Sequence, residues 1–229
     1  MKLYEILLRR IGMWSDPPKP VEIAEENKVY NPIGCKIGGV AKIDSLDFRE
    51  HRFTVKEIRE YSIGRNRMVD YVLLARPIGK PDFLCRLRIV PDPDSRSTIT
   101  HRALLMTVYD EFPFNEEFLG VVNDEENKFV IDNEDDPNNI IHDEFWRVND
   151  VGESHIANVK VLADTDRDGK VSVYEVSREQ VEFWDYSRET DLDGVEVEEF
   201  VFVEMNKGND GQFKIWRGSE VNPEQIEVF

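Results

Sequence analysis

The sequence predicts an α+β fold dominated by antiparallel strands, with one amphipathic helix at its start. Three observations carry this reading: a period-two alternation of apolar residues from Asn31 onward, Asp-Gly pairs punctuating the last third, and helical apolar spacing confined to the first fourteen residues.

In chain order, Leu3, Leu7, Ile11 and Trp14 fall on one helical face, with Lys2, Glu5 and Arg9 elsewhere on the wheel. Pro17, Pro18 and Pro20 then stop the helix, because proline lacks the amide donor and clashes with the preceding turn. Residues 1–20 are thus expected to form a helical arm with a Pro-rich break, and residues 21–229 a single β-rich domain, with a possible subdivision near 115. The arm is expected to pack on the body, with a partner groove and a membrane surface contacted by residues 1–14 as alternatives.

Val69, Tyr71, Leu73 and Ala75 alternate along Met68 to Arg76, and Phe83, Cys85, Leu87 and Ile89 do so against Arg86 and Arg88. These are expected to be half-buried strands on either side of a turn at Pro77–Pro81. The basic residues here, Arg86 and Arg88 among them, are expected to lie on a solvated sheet face, with an anion-binding patch as the alternative. Ala103 to Val122 has a mixed pattern that fits neither helix nor strand throughout. Asp132 to Asn139 is expected to be an acidic loop, Glu144–Val148 and Ile156–Leu162 extended. Asp168-Gly169, Asp193-Gly194 and Asp210-Gly211 mark turns between the alternating segments Val181–Arg188, Val195–Met205 and Gln212–Trp216, which gives an antiparallel meander.

At 229 residues the chain can bury a sizeable core, and 40% hydrophobic with 10% aromatic content excludes a disordered chain. The net charge of −18 is uneven: residues 1–100 carry +4 and residues 101–229 carry −22. Such a field repels nucleic acid and favours cations or a protein partner with a basic surface. Cys35 and Cys85 have no disulfide or zinc spacing and are expected to be small buried hydrophobes. No apolar run is long enough to span a membrane, and Met1–Trp14 lacks a cleavage signal, so a cytoplasmic location is expected.

The sharpest motif is Asp164-Thr165-Asp166-Arg167-Asp168-Gly169-Lys170-Val171-Ser172-Val173-Tyr174-Glu175. It matches the twelve-residue EF-hand calcium loop. Calcium takes six to eight oxygens: Asp164, Asp166 and Asp168 supply carboxylates, Lys170 its carbonyl, Ser172 a bridging water, and Glu175 a bidentate carboxylate. The residues before it are β-branched, so the expected context is strand, loop, then a short helix. A second start at Glu189 fails, because Phe200 occupies the bidentate position. A lone loop points to a structural Ca2+ ion rather than a calcium switch.

Nucleophile elbows, P-loops and dinucleotide fingerprints are absent. The glycines of Gly34-Cys35-Lys36-Ile37-Gly38-Gly39 are expected to serve tight backbone packing, and His142-Asp143-Glu144 to be a solvated acidic rim rather than a catalytic base. Pro32-Ile33-Gly34 through Val40 with Ile43-Asp44, then Phe183 to Arg188, then Phe200 to Glu204 with Ile215 to Gly218 resemble the uncharacterised bacterial YjfK-like family. That resemblance implies no catalytic residue; it implies a setting of phage-shock-type membrane stress and a protein partner near a membrane. The resulting expectation is a non-enzymatic interaction or scaffold module with a structural calcium site. The alternatives are a metal-dependent hydrolase and an acidic mimic of nucleic acid.

Overall fold

The computed structural model describes residues 28–44, 51–77, 81–91, 101–132, 142–148, 154–164, 174–192, 195–207 and 211–229. Twelve strands occur among them: β1 (Val40–Ile43), β2 (His51–Ile63), β3 (Asn66–Ala75), β4 (Phe83–Pro91), β5 (His101–Pro113), β6 (Lys128–Asp132), β7 (His142–Arg147), β8 (His155–Asp164), β9 (Tyr174–Leu192), β10 (Val195–Asn206), β11 (Gln212–Val221) and β12 (Ile226–Val228). One helix, α1 (Glu116–Val122), lies between β5 and β6. The fold is β-dominated and antiparallel, as the alternation predicts. The expected N-terminal helix lies outside the described residues.

The meander closes on itself. β2, β3, β4, β5, β11, β10 and β9 are neighbours in that order, and β8 pairs with both β2 and β9, which completes an eight-stranded barrel. Two strands are long enough to serve two partners on one edge. The first residues of β2 pair with β1; a bulge between Val55 and Glu57 follows, and residues 57–62 pair with β8. An extra residue in one strand bends it and sharpens its twist, which is how β2 leaves the barrel wall to collect β1 and β12. In β9, Tyr174–Phe183 pair with β8, whereas Tyr186 and Ser187 pair with β7.

These two departures cover the outside of the barrel. On one side Val69, Tyr71, Leu73, Cys85, Leu87 and Ile89 pack with Ala41 and Ile43 in one core. On the other, Trp184, Tyr186, Val201, Val203 and Phe213 pack with Phe129, Phe145 and Val122. Asn115 caps α1 by accepting from the Glu117 and Phe118 amides, and Phe118 stands edge-on to Phe112 and Phe213 at 4.9 Å. The segment of mixed pattern is therefore a strand followed by a capped seven-residue helix.

Covering the outer face overturns one expectation. The strands are buried on both faces, not half-buried: Arg86 is 2% exposed and Arg88 fully buried, in the barrel interior rather than on a solvated sheet face. Asp143 departs from its expected solvated rim in the same way. It is 7% exposed, ion-paired to Arg188 and, at 2.8 Å, to Arg217, and both arginines also reach Glu199. Two predicted turns are hairpins, with Leu192 paired to Val195 and Asn206 to Gln212. Cys35 and Cys85 are free and buried, and burial pushes both thiols up to about 12. Gly34 and Gly38 have positive φ, and a Cβ on Gly39 would lie 2.9 Å from the Lys36 carbonyl oxygen, so backbone packing accounts for that glycine run.

Candidate functional site: a cavity beside a buried charge cluster

Alternation places every second residue of the eight barrel strands inside. Most of these are apolar, but β3, β4 and β10 each contribute charge at mid-barrel. Arg88 donates from Nε and Nη2 to the two oxygens of Asp70 at 2.7 and 2.8 Å, and from Nη2 to Glu204 at 3.0 Å. Arg86 donates from Nη1 to Glu204 at 2.5 Å and lies 3.1 Å from Asp70. The Tyr61 hydroxyl and the Trp216 indole N–H also donate to Glu204, at 3.3 and 3.1 Å. Because β4 and β10 are not neighbours, these bonds cross the lumen and tie opposite walls together.

Two arginines and two carboxylates leave the cluster neutral, which is what makes it tolerable: an unmatched interior charge costs several kcal/mol. Aromatic faces supply further partners. The Arg86 guanidinium lies 3.8 Å from the Trp216 ring centroid and that of Arg88 4.4 Å from Phe202. Burial alone would raise the Glu204 carboxyl, but Arg86 and Arg88 outweigh it and hold the group at about 2. Burial, opposed by Arg86 and reinforced by Glu204, pushes the Tyr61 hydroxyl up. Burial works against charge on both arginines too, yet their carboxylate partners keep them firmly protonated.

Toward one end of the barrel the filling stops. A cavity of about 500 Å³ begins beside Arg88, walled by Met68, Val90, Leu104, Phe183, Phe200 and Phe202. Arg67, Arg102, His155 and Asp185 also line it. Arg102 is held by Glu198 at 2.7 Å and Glu220 at 2.8 Å, with its guanidinium over Phe200, and His155 lies 3.7 Å from Asp185. A predominantly apolar concavity with a few fixed polar groups has the composition of a small-molecule site, and its volume falls in the usual range of about 300–1,000 Å³.

The sequence-predicted metal residues lie at the β8–β9 connection. Asp166, Asp168, Lys170 and Ser172 are outside the described residues, as are the side chains of Asp164 and Glu175. The backbone at both ends is described: Asp164 pairs with Tyr174 and Ala163 with Glu175, so the loop joins two antiparallel strands. The strand entering it is as expected, whereas a long strand replaces the short helix expected after it, because residues 174–183 complete the barrel against β8. Among the described residues no group of three or more His, Cys, Asp or Glu side chains is placed to hold a metal. No described helix is long and apolar enough to cross a membrane.

Sequence reasoning missed Asp70, Glu204, Phe202 and the cavity as a unit. A signal was present: Asp70, Arg86, Arg88 and Glu204 interrupt otherwise apolar strand runs, and they sum to zero charge. No family model matches the chain, and neither a curated protein nor a solved structure matches it.

Proposed function

We propose that this chain is a non-enzymatic binding module that holds a small, mainly apolar molecule in the end of its barrel, with calcium at the β8–β9 connection as a structural ion. The observation behind the first part is the cavity of about 500 Å³ walled by Met68, Leu104, Phe183, Phe200 and Phe202. The adjoining part of the lumen is filled by a cross-braced charge cluster that ties the strands carrying the walls together, so little backbone ordering free energy is lost on binding. Support for calcium is the loop sequence together with a hairpin that brings Asp164 within one residue of the Glu175 pairing position.

The cavity is tested with a neutral apolar fluorophore, N-phenyl-1-naphthylamine. Saturable, one-to-one enhancement of its emission is expected, and Leu104→Trp, which fills the cavity from β5, should abolish it while leaving the melting transition cooperative. No saturable enhancement, or the same enhancement in a folded Leu104→Trp protein, would overturn the reading.

A further inference from the structure

Resting on the cavity reading, we infer that the molecule held there is uncharged and carries a hydrogen-bond acceptor, such as a ketone, ester or amide carbonyl, which Arg88 recognises through Nη1. The geometry begins with the guanidinium fork. Nε and Nη2 of Arg88 are committed to Asp70 and Glu204, so Nη1 lies on the edge turned away from Asp70. That nitrogen is buried and has no hydrogen-bond partner among the described residues. Arg88 is also the only member of its four-charge cluster that borders the cavity. A buried guanidinium N–H without an acceptor is costly, and a ligand oxygen at the inner end of the cavity would remove that cost.

Charge decides between a neutral acceptor and an anion. Arg67, Arg88 and Arg102 line the cavity against Asp185, which taken alone would favour an anion. Their counterions reverse that: Glu60 lies 3.4 Å from Arg67, Glu198 and Glu220 hold Arg102, and Asp70 and Glu204 already neutralise Arg88. A carboxylate entering here would lose its water against a surround with no spare positive charge, inside a chain of net charge −18. A carbonyl oxygen needs only an N–H of Nη1, and brings no charge.

Access requires a small movement, because Arg88 borders the cavity without exposing any surface. Met68 provides it. This residue is 7% exposed, lines the cavity, and sits two positions before Asp70 on the same strand face. An unbranched thioether chain is the side chain best able to give way without disturbing the wall.

The test uses three ligands of nearly equal shape on the unaltered protein: 2-acetylnaphthalene, 2-isopropylnaphthalene and 2-naphthoate, each competing with N-phenyl-1-naphthylamine. The ketone should bind at least tenfold more tightly than the hydrocarbon, about 1.4 kcal/mol, and also more tightly than the carboxylate. Equal affinity of ketone and hydrocarbon would overturn the role of Arg88 while leaving the cavity reading intact, and tightest binding by the carboxylate would overturn the charge argument. Failure of all three, and of the fluorophore itself, would instead remove the cavity reading on which this inference rests. Arg88→Met, if it folds, should lose the preference for the ketone and keep its affinity for the hydrocarbon.

Discussion

Replacing Glu204 with Gln removes one negative charge from a fully enclosed cluster and leaves the shape almost unchanged. Glu204 accepts from Arg86, Arg88, Tyr61 and Trp216. In the variant Arg86 and Arg88 face Asp70 alone, so the interior carries one unmatched positive charge, a situation that costs about 3–5 kcal/mol. The ionisation of Glu204 points the same way: against its burial, Arg86 and Arg88 hold its carboxyl well below the usual carboxylate range. For a chain of this size each kcal/mol moves the melting temperature by about 2–4 °C, so a drop of about 6–20 °C is expected by calorimetry. Adding Arg86→Met to Glu204→Gln returns the interior to one arginine and one aspartate. The double variant should therefore be more stable than the sum of the two single losses predicts, by at least about 1 kcal/mol in urea unfolding. A loss below 1 kcal/mol for Glu204→Gln, or strict additivity, would refute the account of the lumen as a balanced charge cluster.

The same carboxylate sets an acid limit: a lowered folded-state value means stability fully present above about pH 4.5 and lost as pH falls toward 2, so urea midpoints should drop through that window and Glu204→Gln should flatten the drop. Gly218→Ala should destabilise strongly, because a Cβ there would lie 2.0 Å from the Leu105 carbonyl oxygen and 2.6 Å from the Met106 Cα; a loss of more than about 2 kcal/mol in urea unfolding is expected, and a neutral result would contradict the β5–β11 spacing. Calcium should raise stability by about 2.7 kcal/mol at a hundredfold excess over its Kd, with magnesium doing less and Glu175→Gln removing most of the effect. Identical melting temperatures in calcium and in chelator would reduce residues 164–175 to an acidic turn between strands.

What the sequence made legible is local. Alternation identified the faces of β3 and β4, and Asp-Gly pairs identified two hairpins, because both signals depend on neighbours along the chain. Closure of the barrel depends instead on residues 57–62 meeting residues 158–163, a pairing separated by about a hundred positions with no local trace. The misplacement of Arg86 and Arg88 follows from that. Charges alternating with apolar residues have the pattern of a solvated face unless a second layer covers the other side, and here β1, β12 and the barrel itself make both sides interior. Nothing near Arg88 in sequence marks Glu204, which is 116 residues away, as its partner. The cavity was invisible for the same reason, since the residues lining it come from seven different strands. The acidic loop is the reverse case: every ligand position falls within twelve consecutive residues.

The most direct test of the binding reading uses the methionine methyl groups, of which the chain has five. Met68 lines the cavity, Met106 lies deeper in the lumen against Trp216, and Met205 packs outside the barrel with Trp184 and Phe213. With ¹³C-methyl methionine, titration with 2-acetylnaphthalene should shift the Met68 signal saturably, with cross-relaxation to the ligand's ring protons, while Met205 stays in place. A Met68 signal that does not move at saturating ligand, or equal shifts at Met68 and Met205, would contradict a ligand held in the end of the barrel.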